Sequence, residues 1–147
     1  MNDVSKLYEV YLNNELTNAK NDVLNIVRLD QKILAFVHDL SIIAEDSRCY
    51  LFWEKEDSIN HEQLLEDYIE GLTMLMSIGY ELRIDNIKNY NELPSKISII
   101  DLFFKIYNEI LSVKNDYDSR IYQDTIDDFF TLGFLLGIKV EEIVDAY

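Results

Sequence analysis

VHDLSIIAEDSRCYLFW, residues 37–53, and LLEDYIEGLTMLMSIG, residues 64–79, are two apolar segments that each carry acids at helical spacing. Asp39 and Asp46 stand seven apart, two turns of one helix, and Asp67 and Glu70 stand three apart on the next. Residues three, four and seven apart share a helical face, so each pair points the same way as its apolar neighbours. Carboxylates aimed at a protein interior need a cation or a proton to offset their desolvation. The two segments predict a helical hairpin with an acidic seam. The alternative is that these acids lie on solvated faces of amphipathic helices.

Outward from that hairpin the apolar period stays helical. Ile33, Phe36, Val37, Leu40, Ile43 and Ala44 recur at three and four, predicting a long helix over about 29–53 with Asp30 as its N-cap. Leu64, Leu65, Tyr68, Ile69, Leu72, Leu75 and Met76 predict its partner over about 61–82, capped by Ser58 or Asn60. Gly79 there either permits close packing or loosens the last turn. Before the hairpin, Leu7, Val10, Tyr11 and Asn14 mark a helix over about 4–19, and Asn21 and Asp22 end it or cap a short segment over 23–27. After it, a loop over 84–95 containing Pro94 leads to helices over about 97–113, 119–136 and 140–147. Asp118 or Ser119 starts the second of these, and Gly137 ends it. The stretch 132–138 is apolar nearly all round, which predicts burial on several sides, in a central helix or at a subunit interface. The expected fold class is all-α, a helical bundle forming one domain over 1–147.

Composition points the same way. One Pro and four Gly in 147 residues are too few for many tight turns, and ten Tyr and seven Phe supply a core. The formal net charge of −15 argues against nucleic-acid backbones and anionic membranes as main partners. Apolar runs are broken by Asp, Glu or Lys well short of the roughly 20 residues of a membrane span. The opening MNDVSK has no basic region ahead of an apolar run, so no export signal is read and a cytoplasmic location is expected. Cys49, the single cysteine, reads as a buried structural thiol. His38 and His61 lack metal-ligand spacing and read as surface or capping residues, and Leu102, Phe103, Phe104 and Tyr107 as a core stripe. There is no Gly-rich phosphate loop and no hydrolase nucleophile motif.

Residues 48–53, Arg-Cys-Tyr-Leu-Phe-Trp, and 65–72, Leu-Glu-Asp-Tyr-Ile-Glu-Gly-Leu, resemble the two core motifs of the dimeric all-α dUTPases, which belong with the MazG-like nucleoside triphosphate pyrophosphohydrolases. The family's first motif reads roughly Glu-Leu-x-Glu-Leu-Ala-Asn-Glu-x-Arg-x-Phe-Lys-x-Trp, its second Glu-Glu-x-x-Asp-x-Leu-His-Phe. The stretch from Tyr122 through Gly137 to Tyr147 resembles the family's C-terminal region, so the likeness runs from about residue 30 onward.

The resemblance implies a homodimer that cleaves dUTP or a related dNTP between the α- and β-phosphates, with Mg²⁺ or Mn²⁺ held between two helices. Hard carboxylate oxygens suit such cations, which bridge phosphate oxygens and help form the attacking hydroxide. Carried over by position, the metal ligands fall at Asp39, Asp67 and Glu70. Asp46 or Glu45 would orient the water, and Arg48, Trp53 and Glu66 would contact substrate. The family's base-recognising Gln and Asp fall near Tyr11 and Glu15. The carboxylates are altered in reach, Asp39 and Asp46 standing for glutamates and Asp67 and Glu70 exchanged. Three further positions lose the family's group: the second glutamate of the first motif is Ile42, the lysine beside the tryptophan is Leu51, and the histidine of the second motif is Thr73. The family's Lys- and Asn-bearing tail falls beyond Tyr147. These departures imply an alternative, a catalytically degenerate homologue that binds a nucleotide or a protein partner.

Overall fold

The computed structural model describes residues 4–18, 26–53, 59–88 and 96–147, with the side chains of 4, 14–18 and 26 outside the description. Within them lie six helices and no strand: α1 Val4–Asn18, α2 Ile26–Ser47, α3 His61–Glu81, α4 Ile99–Asp116, α5 Ser119–Leu135 and α6 Val140–Asp145. The all-α expectation holds.

Four long helices form the bundle, and their polar contacts fix its directions. Arg28 and Lys32 near the start of α2 reach Glu81 at the end of α3, at 2.6 and 2.9 Å, so the two helices run antiparallel. Lys105 of α4 reaches Asp128 of α5 at 3.1 Å. Ser41 and Tyr107 share a 2.6 Å hydrogen bond between α2 and α4. Tyr68 and Tyr122 donate to the Phe129 and Leu75 carbonyls, tying α3 to α5 at both ends. Lys114 and Tyr117 at the end of α4 reach Asp30 near the start of α2, so α2 and α4 also run antiparallel, which leaves α3 and α4 parallel.

The centre is aromatic. Tyr68 stacks on Phe129 with ring centroids 4.5 Å apart, and Phe36 meets the same ring edge-on at 5.6 Å. All three rings are fully buried, each contributing about 1.5–3 kcal/mol by removal from water. Gly79 permits close packing: a Cβ there would lie 2.5 Å from the Tyr122 hydroxyl and 2.6 Å from that of Tyr8.

Several element ends differ from the sequence expectation. The long helix begins at Ile26, so Asp30 is not its cap; it lies inside α2 and receives the Tyr117 hydroxyl at 3.2 Å. It also stops at Ser47 rather than 53, because Arg48 turns to φ 60° and the Ser47 hydroxyl takes over, donating to the Ala44 carbonyl and accepting from the Cys49 amide. Asn60 caps α3 by accepting from Gln63 N, and Asp118 caps α5 by accepting from Arg120 N. In α1 the buried positions are Tyr8 and Tyr11, while Val10 faces out. In α4, Phe104 is 64% exposed rather than core, since the inward stripe is Leu102, Phe103, Ile106, Ile110 and Val113. The stretch 132–138 is mixed, with Leu132 and Ile138 buried and Phe134 outside. Ser58, the 23–25 part of the short segment, Pro94 and the Glu15 side chain lie outside the described residues.

Candidate functional site at the α2–α3 seam

The acidic seam forms where the hairpin packs most tightly. Gly71 makes the approach possible: a Cβ there would meet Ile43 Cδ1 at 3.1 Å, Phe129 Cζ at 3.3 Å and Asp39 Cβ at 3.7 Å. Asp39 is therefore brought against the α3 turn that carries Glu70, and it is itself buried. Burial is the main cause of its carboxyl's raised pKa, and the charges of Glu70 and Asp67 push it the same way while His38 opposes them.

One step toward the connected end of the hairpin, Asp46 lies within hydrogen-bonding reach of Asp67. Two ionised carboxylates cannot share such a contact; one must carry the proton. Burial, the Asp67 hydrogen bond and charge, and the charge of Glu45 together push Asp46 up to about 7. Asp46 Oδ2 is shut off from solvent and meets no donor. Gln63 steadies the other member, its Nε2 donating to Asp67 Oδ2 at 3.0 Å. The sequence did not single out Gln63, although its i, i+4 spacing to Asp67 was the available signal.

The structure thus brings together Asp39, Asp46, Asp67 and Glu70, as two acid pairs linked by the reach of Asp67 to both. Glu45 stays exposed at the edge of the group, and Glu66 is exposed beside Asp67. Arg48 and Trp53 lie beyond the end of α2, Arg48 half-buried in its left-handed turn and Trp53 62% exposed. Tyr11 is buried in the core on α1. Thr73, one turn along α3 from Glu70, bonds the Ile69 carbonyl and the Tyr147 hydroxyl. His61 is exposed and pairs with Glu142 at 2.8 Å, fastening α6 to the start of α3.

The donor set is all carboxylate, which suits a hard divalent cation, and the solvent-shielded Asp46 Oδ2 is an atom such an ion would satisfy. Among the described residues, however, no three His, Cys, Asp or Glu side chains stand at the separation of one ion's ligands. The position that would complete the set on α2 is Ile42, half-buried and without a ligating atom.

A second acid pair lies away from this seam. Glu109 of α4 lies within hydrogen-bonding reach of Asp128 of α5, and burial followed by that contact pushes Glu109 up to about 9. Lys105 Nζ partly balances the pair, 3.2 and 3.1 Å from the two Asp128 oxygens.

Among the described residues no helix is long and apolar enough to cross a membrane. Comparison with known families gives a match to the dUTPase family over residues 5–147. Neither a curated protein nor a solved structure matches. With that match spanning nearly the whole chain and six helices in place, the chain belongs to the dimeric all-α dUTPase family.

Proposed function

We propose that the chain is a nucleotide pyrophosphohydrolase that cleaves dUTP, or a related dNTP, to the monophosphate and pyrophosphate. The observation that supports the reading is the closeness of Asp46 to Asp67 beside Asp39 and Glu70, at the positions where the sequence resembles the family's motifs. Asp39, Asp67 and Glu70 stand at the family's ligand positions and would have to draw together from their present separation to hold Mg²⁺ or Mn²⁺, which would supply charge neutralisation at the phosphates. Asp46, poised to exchange a proton near neutral pH, suits the general base that orients and deprotonates water, with Glu45 at its flank. Arg48 suits a phosphate contact, and Trp53 and Glu66 suit substrate contacts at the connected end of the hairpin.

We place a homodimer contact on the aromatic face beyond α2. Phe52 is 90% exposed, and it, Trp53 and Tyr50 form a connected ring cluster. The cluster continues through Tyr50 into an apolar cleft of about 340 Å³ lined by Ile100, Phe103 and Phe104. So large a continuous apolar surface on an acidic chain favours a protein partner.

The second reading, a degenerate homologue that binds without hydrolysing, draws on Ile42, Leu51 and Thr73 at positions where the family carries Glu, Lys and His. Calorimetric titration with a non-hydrolysable dUTP analogue, with and without Mg²⁺, tests the nucleotide reading common to both. Metal-dependent saturable binding is expected. Absence of binding in both conditions would overturn the nucleotide reading and leave the degenerate homologue a protein-binding role.

A further inference from the structure

We infer that the cleft between the 82–88 segment and the start of α5 is an anion site for a phosphate-bearing small molecule, separate from the acidic seam. The cleft has a volume of about 520 Å³ and includes Arg83, Lys88 and Arg120 in its wall, against one carboxylate, Asp124. The chain as a whole has 28 acids and 13 bases, whereas cations outnumber acids three to one in the lining, with Asp118 paired to Arg120 and Asp85 in the 82–88 segment beside it. That lining favours an anion here over the rest of the surface.

The cations are positioned rather than scattered. Arg83 is held at φ 62°, a left-handed conformation uncommon for a side-chain-bearing residue, and its guanidinium lies 5.7 Å over the Tyr80 ring. Lys88 is fixed by its backbone amide, which donates to Gln123 Oε1 at 2.8 Å. Arg120 sits in the first turn of the 17-residue α5, whose dipole adds positive potential at the same wall. Its guanidinium is 3.2 Å from Asp118 Oδ2 yet 90% exposed, an ion pair that a dianionic phosphate can displace or share. Leu82, Ile84, Ile87 and Tyr122 give the cleft an apolar floor suited to the organic part of such a ligand.

The cleft lies at the opposite end of α3 from the seam. Asp67 and Arg83 are sixteen positions apart along that helix and its last turn, about 24 Å at the helical rise. The two regions cannot hold parts of one phosphate chain. Occupancy of the cleft would act on the seam through α3 or independently of it.

The test is calorimetric titration with inorganic pyrophosphate in the absence of divalent metal, where the acidic seam repels the anion. Saturable binding is expected, weakened at least tenfold in Arg83→Gln/Arg120→Gln and unchanged in Lys139→Gln, which lies outside the cleft. Circular dichroism checks that the double variant stays folded, and Lys88→Gln gives a second, milder arm. No saturable binding by the unmodified protein, or binding undiminished in the folded double variant and in Lys88→Gln, would overturn the assignment.

Discussion

Asp46 on α2 stands within hydrogen-bonding reach of Asp67 on α3, a contact that together with burial pushes the Asp46 carboxyl up to about 7, while Gln63 Nε2 donates to Asp67 Oδ2. The contact is unfavourable for two carboxylates at neutral pH, so it marks where a cation or a substrate proton would be most strongly stabilised. Asp39 and Glu70 repeat the juxtaposition at the next level of the seam. The strain is electrostatic, and it is local.

Removing one charge should therefore separate stability from metal response. In metal-free buffer near pH 8, Asp67→Asn is expected to melt a few degrees above the unmodified protein, because a like-charge contact is gone. Saturating Mg²⁺ should stabilise the unmodified protein by about 2.7 kcal/mol if the ion is at a hundredfold its Kd, and so raise its melting temperature, and the variant's far less. Thermal melts with and without Mg²⁺ check both. An equal metal response in the two proteins would remove Asp67 from the ligand set.

The Glu109–Asp128 pair gives a pH dependence of definite sign. The folded chain keeps the Glu109 proton up to about pH 9, whereas the unfolded chain releases it near the ordinary glutamate value of 4.5. Between those values the folded state binds more protons, so this group's contribution is complete below pH 4.5 and is lost as pH rises toward 9. Lys105 on α4 opposes the trend, and Asp124 and Asp128 on α5 reinforce it. Glu109→Gln, melted across about pH 5 to about pH 9, should show a flatter profile than the unmodified protein. Parallel profiles would mean that Glu109 ionises freely.

Gly79 reports on the α1–α3–α5 junction. The hydroxyls that crowd it are anchored, Tyr8 to the Ile84 carbonyl at 2.8 Å and Tyr122 to that of Leu75 at 2.7 Å, so neither ring can yield cheaply. Gly79→Ala is expected to cost about 2 kcal/mol, measured by urea unfolding. A neutral substitution would mean that the two tyrosines can shift apart.

Much of the fold was legible because it rests on periodicity. Phe36, Leu40 and Ile43 on α2 and Leu64, Tyr68, Leu72 and Leu75 on α3 recur at helical spacing, and all are buried. The misread ends arise where tertiary contacts override local pattern. Arg48 ends α2 in a left-handed turn with no glycine to announce it, and Asp30 is claimed by α4 and its C-cap through Lys114 and Tyr117 rather than by a helix start. In the site, spacing named Asp39, Asp46, Asp67 and Glu70. Which carboxyl pairs with which depends on the helix approach at Gly71, which no spacing within one helix reveals. The Glu109–Asp128 pair stayed hidden for the same reason, since its members come from different helices.

The exposed aromatic face should fail first when the assembly is tested. Sedimentation of the unmodified protein is expected to give a dimer, and Phe52→Asp with Phe104→Asp a folded monomer. Both residues are mostly solvent-exposed in the single chain, so the fold itself has little reason to suffer. A dimer that survives both changes would place the interface elsewhere.

Pyrophosphate release from a panel of dNTPs with Mg²⁺ or Mn²⁺ tests the proposed chemistry most directly. Metal-dependent cleavage with dUTP preferred is expected, reduced at least a hundredfold in Asp67→Asn and raised in Ile42→Glu, which restores the missing carboxylate on α2. No pyrophosphate from any dNTP at high protein concentration, from either the unmodified protein or Ile42→Glu, would contradict it.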